Sequence, residues 1–556
     1  MKDSLFSRSI TRSKMFVKIA TISLLLVVFV ALGSTLQAAE KPSGRFTTGW
    51  LSSAALESTR CTYNWLYNGM GAAFTMLTYD QLWWIGPGPD YEPQPWVATS
   101  WETPDDGKTW IFHLRKDAKF HDGTPLTAKD VVFTMEYLTK SVPAFKWHGT
   151  MIEEGSAKAI DDYTVTFTLP TPLGGKYPAA FWIPILPKHI FEPYKDDITK
   201  FPNEKAIGSG PYKLKEFKSG EYMWFVANEN HFSGAPKLAE VVFRTYGSAD
   251  AQIMAMKKGE IQMFGYAGTS PTVAGRLESN ENIAVYVNPG QEVHFFAFNL
   301  YKQGPIRDLN VRKALMHGIN KKRISDIVYK GQAELIDSVV YPELADHNPN
   351  LAGYDYNPEK ANTLLKEAGY VDSNGDGIRN DPKTGKELSL ELIFTSSDST
   401  LVRAMQMVAE QLKEVGINIV LEGQDDSTHS ARLTAPDKHN WDLSPTVLSP
   451  GPYGDWAWEV GRSWEGGGKG WNYANYANPE FDKALDTMLG ERDPAKRKEL
   501  LFGMQQTWND DLPFGFLWRP KTFDPVRTDM IQDYSKAMGG LSIWWNPWTY
   551  FNARTK

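Results

Sequence analysis

Two hydrophobic periods, one of two residues and one near 3.6, alternate along this chain almost from end to end, and that alternation constrains its fold more than any other feature. The stretch Thr109 to Arg115 switches between apolar and polar residues, as a strand with one buried face does. Shortly after it, Val131, Val132, Met135 and Leu138 recur at helical spacing. They follow Thr127-Ala128-Lys129-Asp130, which has the spacing of a capping box with Asp in place of Glu. The succession continues. Strands are expected at Thr164 to Leu169, Tyr222 to Ala227, Val241 to Tyr246, Phe295 to Asn299 and Ile417 to Leu421. Helices are expected from Asp250 to Met256, from Val311 through Leu315 and Ile319, and from Leu401 to Val415. Turns are marked by Gly107, Asp122-Gly123-Thr124-Pro125 and Gly208-Ser209-Gly210-Pro211. Interleaved elements of this kind make the class mixed α/β. At 556 residues the chain is too long for one hydrophobic core, so two or three domains are expected. No internal repeat and no low-complexity tract is present.

The first forty residues stand apart. Lys2, Arg8, Arg12, Lys14 and Lys18 precede an apolar run from Ile19 to Leu32, and Gly33, Ser34, Ala38 and Ala39 follow. This is the order of a secretory signal peptide, residues 1–38, cleaved after Ala38. The alternative, an uncleaved anchor, needs about 20 apolar residues, and the run falls short. The single cysteine, Cys61, excludes a disulfide within the chain and lies well past the run, so it is not a lipid-attachment site. It reads as an inert buried thiol. A periplasmic location without a lipid anchor is expected. A net charge of -7 with no basic stripe argues against nucleic acid as a partner.

Enzyme motifs are missing. There is no Gly-x-Ser-x-Gly elbow and no His-Glu-x-x-His helix. Gly466-Gly467-Gly468-Lys469-Gly470 lacks the order of a phosphate loop and reads as a flexible loop. Asp372, Asn374 and Asp376 resemble the first half of a calcium loop, but the twelfth position carries Lys383, so a polar hairpin turn is the competing reading. Asp455 and Glu459 among Trp456 and Trp458 could be the two carboxyls of a glycoside hydrolase. Tryptophan is abundant, 20 in all. The groups Trp83-Trp84, Trp456 with Trp458, and Trp544-Trp545 with Trp548 sit in polar contexts, where large rings cover either a ligand or surplus core.

Several segments together carry a family pattern. The longest runs from Trp96-Val97-Ala98-Thr99-Ser100-Trp101-Glu102 through Asp106-Gly107 and Phe112-His113-Leu114-Arg115. It continues as Phe120-His121-Asp122-Gly123-Thr124-Pro125-Leu126-Thr127-Ala128-Lys129-Asp130-Val131. Gly208 to Tyr212 follows, then Asn299, Pro305, Asp308, Val311-Arg312 and Ala314. Asn478-Pro479-Glu480-Phe481-Asp482, Asp493 and Arg497 complete it. The chain thereby resembles the family 5 extracellular solute-binding proteins of bacterial ABC importers, the dipeptide and oligopeptide receptor class, over essentially its whole length past the signal peptide.

The resemblance implies a periplasmic-binding-protein-like α/β fold of two lobes joined by a hinge, with an extra subdomain in the first lobe. Lobe I is expected over residues 39–81, 186–294 and 521–556, the subdomain over 82–185 and lobe II over 295–520. Hinge crossings are expected near Phe295–Asn299 and Phe516–Pro520. Most of the matched residues, Arg115, Asp122 and Asp130 among them, read as scaffold. The implied function is capture of a small organic solute in an interlobe cleft and delivery to a permease with its ATPase. It implies a monomer, with no cofactor and no catalysis.

One departure concerns the ligand. Peptide-binding members carry an Asp that pairs with the ligand's α-amino group, in a motif like Gly-Asp-x-Gly-Asp-Pro. The matching stretch is Gly451-Pro452-Tyr453-Gly454-Asp455-Trp456, which puts that Asp on Pro452 or, with a slip of alignment, on Asp455. An ammonium left unpaired would cost several kcal/mol. The expectation therefore leans to an oligosaccharide or other uncharged solute, with a peptide as the alternative. A signalling receptor of the same fold is a further alternative. Tyr453, Asp455, Trp456 and Trp458 are the expected ligand contacts. Trp83 and Trp84 are further candidates, although neighbours in a strand point to opposite faces.

Overall fold

The structure, a computed structural model, describes residues 41–51, 69–88, 90–104, 107–141, 152–180, 183–197, 200–265, 269–434, 440–451, 455–463, 472–537, 539–541 and 546–556. The body they form is Ser43–Lys556. The signal-peptide expectation and Cys61 lie outside the described residues. Among the described residues no helix is long and apolar enough to cross a membrane.

The chain begins a first sheet with β1 (Ser43–Leu51) and returns to it with β2 (Leu238–Tyr246), β3 (Met263–Phe264) and β4 (Ile283–Asn288). It then builds a second sheet from β5 (Val293–Phe298), β6 (Ser389–Thr395), β7 (Asn418–Gln424), β8 (Leu443–Leu448) and β9 (Phe514–Pro520), and re-enters the first with β10 (Thr522–Arg527). The strand order of the first sheet is β4-β10-β3-β1-β2, continued by Tyr222–Ala227 and Tyr212–Lys218. That of the second is Ala333–Leu335, then β9-β5-β8-β6-β7. A third, antiparallel sheet of four strands lies within residues 98–168.

The second sheet is covered on both faces, so its strand β5 is buried from end to end. All six residues of β5 are buried. Phe295 and Ala297 join one core of the second sheet; Phe296 and Phe298 join the other. Elements start where the sequence places their caps. Asp398 caps Ser399–Lys413, Asp308 caps Leu309–Gly318, Asn478 caps Pro479–Gly490 and Asp493 caps Pro494–Asp511, each side chain accepting from a first-turn N–H. At Ala128–Ser141 the Asp130 carboxylate accepts from both the N–H and the hydroxyl of Thr127, 2.9 and 3.0 Å away, and also from Lys188 N–H.

The family-like block converges on one buried joint. Asp80 Oδ1 accepts from Trp96 Nε1 at 2.6 Å and stands 3.2 Å from His231 Nε2, with both side chains of the Asp–His pair closed to solvent. Ser233 N–H donates to His231 Nδ1, which leaves Nε2 to donate to Asp80. His121 accepts from Gly208 N–H at Nδ1 and donates from Nε2 to Gly210 O. Gly208 is required by close approach, because a Cβ there would overlap the carbonyl of Thr78.

The expected crossings need adjusting. Phe295–Phe298 and Phe516–Pro520 lie wholly inside the second sheet, and the chain passes between sheets at residues 289–292 and at Lys521. The reason is packing: those apolar runs are the two paired central strands β5 and β9, not connectors.

Candidate functional site

Strand directions locate a crevice. β1 runs parallel to β2 and to β3, and both β3 and β4 run antiparallel to β10, so β1 to β4 all end on one edge of the first sheet. The chain leaves that edge after Asn288 and enters β5. Val293, the first residue of β5, pairs with Leu448, the last of β8, and β6 runs parallel to β7 and β8. The C-terminal edge of the second sheet is thus the edge at which the chain arrives. The C-terminal strand ends of two α/β sheets are joined edge to edge by two short crossings, and such ends are where open α/β sheets place their ligands.

The crossings run side by side. A Cβ at Gly290 would overlap the carbonyl oxygen of Pro520, so only glycine permits that approach. Arg519, whose side chain is fully buried, ties the crossings together. Its Nε donates to Gly290 O at 2.6 Å. Nη1 and Nη2 donate to the two oxygens of Glu343 at 2.8 and 2.6 Å, and the guanidinium lies 4.3 Å from the centre of the Tyr341 ring. Burial pushes the Glu343 carboxyl up, but the hydrogen bonds and charge of Arg519 outweigh it and hold that carboxyl below its usual range. The Tyr341 hydroxyl donates to Gln291 O at 2.5 Å and accepts from Gly451 N–H at 3.2 Å. On the first-sheet side, Asp524 accepts from Asn288 Nδ2 at 2.6 Å and Leu541 N–H at 3.0 Å, and burial pushes its carboxyl up to about 7.

The second-sheet wall of the crevice is polar. Asp426 accepts from Thr395, the last residue of β6, and from Ser397 just past it, and Ser396 closes on Gln424 O at the end of β7. Asp425 is held below the usual carboxylate range by hydrogen bonds from Ser427 and Thr428. Apolar surface is also available along the edges. Leu51 ends β1, Val287 is the last but one residue of β4 and Val447 the last but one of β8, and they are 43%, 52% and 43% exposed.

The residues named from sequence distribute differently from the expectation. Trp83 and Trp84, on the short strand Trp83–Ile85, are both buried in the first core. Trp83 stacks on Tyr177 with ring centres 5.8 Å apart and donates to Ala179 O. Trp458 is buried in a core of the second sheet, 4.9 Å from the Trp508 ring. These three rings are core, because their polar sequence neighbours sit on short irregular elements whose indoles still turn inward. Trp548 is half-buried, with Nε1 bound to Ile85 O. Asp455 and Trp456 open the short helix Asp455–Gly461, but their side chains, like that of Glu459 and like Pro452, Tyr453, Trp544 and Trp545, lie outside the described residues.

The calcium-like loop is self-satisfied. Asp372 accepts from Gly375 and Gly377 N–H, and Asn374 and Asp376 bond each other. Among the described residues no cluster of three or more acids, histidines or cysteines is placed to hold a metal.

Sequence reasoning missed Gly290, Gln291, Tyr341, Glu343 and Arg519. One signal was available: Arg519 is a lone cation at the end of the apolar run Phe514 to Trp518, and such a charge must have a buried partner.

Comparisons with known proteins agree with this fold. The family model for bacterial extracellular solute-binding proteins, family 5 middle, matches residues 92–470. The chain is 31% identical over 472 residues to the oligopeptide-binding protein AppA of Bacillus subtilis, covering 81% of this chain and 83% of that one. It is 26% identical over 464 residues to the dipeptide-binding protein of Escherichia coli, covering 78% and 82%. The solved structure of Bacillus subtilis AppA in complex with a nonapeptide superposes with a TM-score of 0.75 at 25% identity, over 92% of this chain and 100% of that one.

Proposed function

This chain belongs to the bacterial extracellular solute-binding proteins of family 5 and is the substrate-binding component of a peptide-class ABC importer, and we propose that its cargo is a peptide held in the crevice between the two sheets. The observation that carries the site is the meeting of two C-terminal strand edges across residues 289–292 and Lys521. Rotation about two short crossings opens and closes such a crevice, and a ligand that touches both walls only in the closed arrangement favours it by the difference in affinity.

Peptide is favoured over sugar for two reasons. AppA of Bacillus subtilis and the dipeptide-binding protein of Escherichia coli are named for peptides. The aromatic platforms that favoured a sugar lose Trp83, Trp84 and Trp458 to the cores. In their place the crevice has a hydroxyl- and carboxylate-lined wall and scattered exposed aliphatic residues, which suit backbone amides and mixed side chains. The export signal at residues 1–38 and a periplasmic place of action belong to this reading, as do binding without turnover as a monomer and hand-over to a permease and its ATPase.

Pro452 keeps a second reading open, an uncharged solute or a peptide whose amino group is not read. A thermal-shift screen of the mature protein separates them, since a ligand of the native state raises the melting temperature. Free peptides of two to nine residues are expected to raise it and neutral oligosaccharides to leave it unchanged. A shift with N-acetylated peptides equal to that with free ones would assign no countercharge to the amine. A shift with oligosaccharides alone would overturn the peptide reading.

A further inference from the structure

We infer that Tyr341 is a positioning residue that fixes where the hinge pivots. The inference rests on the receptor reading above only for its ligand arm. Tyr341 packs on the second sheet (with its helices, the second body, as the first and third sheets are the first), and its ring is buried in the core with Val293, Phe295 and Leu448. Its hydroxyl donates to Gln291 O, in the first crossing, and accepts from Gly451 N–H, where the chain leaves β8. Its face carries the Arg519 guanidinium, and Arg519, the residue before Pro520, holds Gly290 O. One side chain, with the cation stacked on it, thereby ties together three backbone segments at the crevice edge.

The consequence is mechanical. Gly290 and Gln291 are clamped to the second sheet through their carbonyls, so they travel with it. On the other side, Asn288 is paired with Thr522 and its amide is bound to Asp524 of the first sheet, so it travels with that sheet. Rotation is then confined to the bonds joining Pro289 to Gly290, since the Pro289 ring fixes its own φ, and on the other crossing to Lys521, whose N–H is held by Gln332 O. The same hydroxyl sets the exit of β8, so the position of the crevice wall and the hinge angle are coupled. Burial raises the Tyr341 phenol well above its ordinary range, so the proton that bonds Gln291 O stays in place.

Tyr341→Phe keeps the ring, the cation stack and the packing, and removes only the two hydrogen bonds. The test uses the mature chain with Cys61→Ser and spin labels at Glu221→Cys and Glu414→Cys, one exposed site on each body. Interlobe distances are measured without ligand by pulsed electron–electron resonance, and binding of the peptides found by the thermal-shift screen is measured by calorimetry. The expected result is a broadened distance distribution, freed because Gln291 no longer follows the second sheet. Peptide affinity is expected to fall about tenfold, roughly what one net hydrogen bond supplies, while amide exchange in β5 stays as in the parent. An unchanged distribution would overturn the inference, and so would a distribution that broadens only together with faster exchange throughout β5, which is the mark of a merely structural tyrosine. If the parent protein binds no peptide, the cargo reading fails, and the distance measurement still decides the role of Tyr341.

Discussion

Two buried polar knots organise this molecule, one around Asp80 and one around Arg519, and they differ in what their hydrogen bonds end on. At the centre of the first, side chain meets side chain, Asp80 with the Trp96 indole and with the His231 ring, and only the flanking His121 and His231 ring nitrogens reach backbone within the same body. All these groups lie in the body built on the first and third sheets. In the second, the bonds end mostly on backbone: Gly290 O, Gln291 O and Gly451 N–H, reached from Arg519 and Tyr341. A knot of side chains locks one core and demands particular residue types. A knot that grips backbone carbonyls can hold a chain crossing while leaving most of the crossing's own residue types undetermined. The first locks one core; the second sits at the crossings about which, on the proposed reading, the two sheets turn.

The contrast can be broken by comparing single substitutions. Asp80→Ala should have the largest effect. It strands the Trp96 N–H and the His231 ring in a site closed to solvent, and breaking a buried pair of this kind costs about 3–5 kcal/mol. Hydrogen exchange should accelerate in the strand Tyr222–Ala227 and in β2, and remain slow in β9. Glu343→Gln should cost less, about 1–3 kcal/mol, because Glu343 is itself 39% exposed and Glu334 stands 3.7 Å from Arg519. If Glu343→Gln proves the costlier of the two, the distinction between a locked and an articulated knot fails.

Acid should separate the two knots next. Burial pushes the His121 ring down to about 4, more than the carbonyl of Gly210 pulls it up. An unfolded histidine keeps its ordinary value near 6.5. As pH falls from 6.5 toward 4 the unfolded chain therefore gains a proton that the folded chain refuses, and stability is lost over that window, by up to on the order of 3 kcal/mol. Above the window the contribution is fully present. His317 and His429, both tied to the second body, are also pushed down by burial, so the assignment depends on substitution. His121→Gln should flatten the fall in melting temperature between pH 7 and 5 and leave exchange in β5 and β9 at its parental pH dependence. An unchanged slope would remove His121 as the acid-sensitive member of the Asp80 knot.

The same distinction explains what was legible in the sequence. The interleaved periods specified the α/β class, and Asp308 stood ahead of an expected helix that begins one residue later, whereas the caps Asp398, Asn478 and Asp493 emerged only from the structure. The family-like block was visible because it encodes the Asp80 knot, where Trp96, His121 and Gly208 must be those residues. The crossings were placed a few residues inside the second sheet because an apolar run such as Val293 to Phe298 looks the same whether it spans two bodies or fills one. The Arg519 knot was hidden because it bonds backbone atoms of Gly290, Gln291 and Gly451, and of these only Gly290 is dictated, by its close approach to Pro520 O, which a lone glycine in sequence does not announce. The tryptophans misdirected for a related reason. Polar neighbours in sequence do not report where an indole turns, and Trp83, Trp84 and Trp458 turn inward.

The smallest expected effects make the sharpest comparison, because each knot has a glutamine beside it in the same predicament. Gln81 follows Asp80 and Gln291 follows Gly290. Both are buried, and among the described residues neither side-chain amide atom of either has a hydrogen-bond partner. Leaving such atoms dry costs about 1–3 kcal/mol, so methionine, which matches the shape without the polar atoms, should raise the melting temperature at both positions. The two should then diverge. On the hinge proposed above, opening gives water access to the Gln291 amide, whereas the motion leaves Gln81 inside one core. In the parent, Gln291 therefore favours the open arrangement. Gln291→Met should remove that preference, populate the closed arrangement without ligand and tighten apparent peptide affinity about threefold to tenfold, as expected when the competent state becomes more populated. Gln81→Met should stabilise and leave affinity alone. Equal effects of the two substitutions on affinity would mean that Gln291 is dry in both arrangements, and that the crossing beside Arg519 is as fixed as the joint around Asp80.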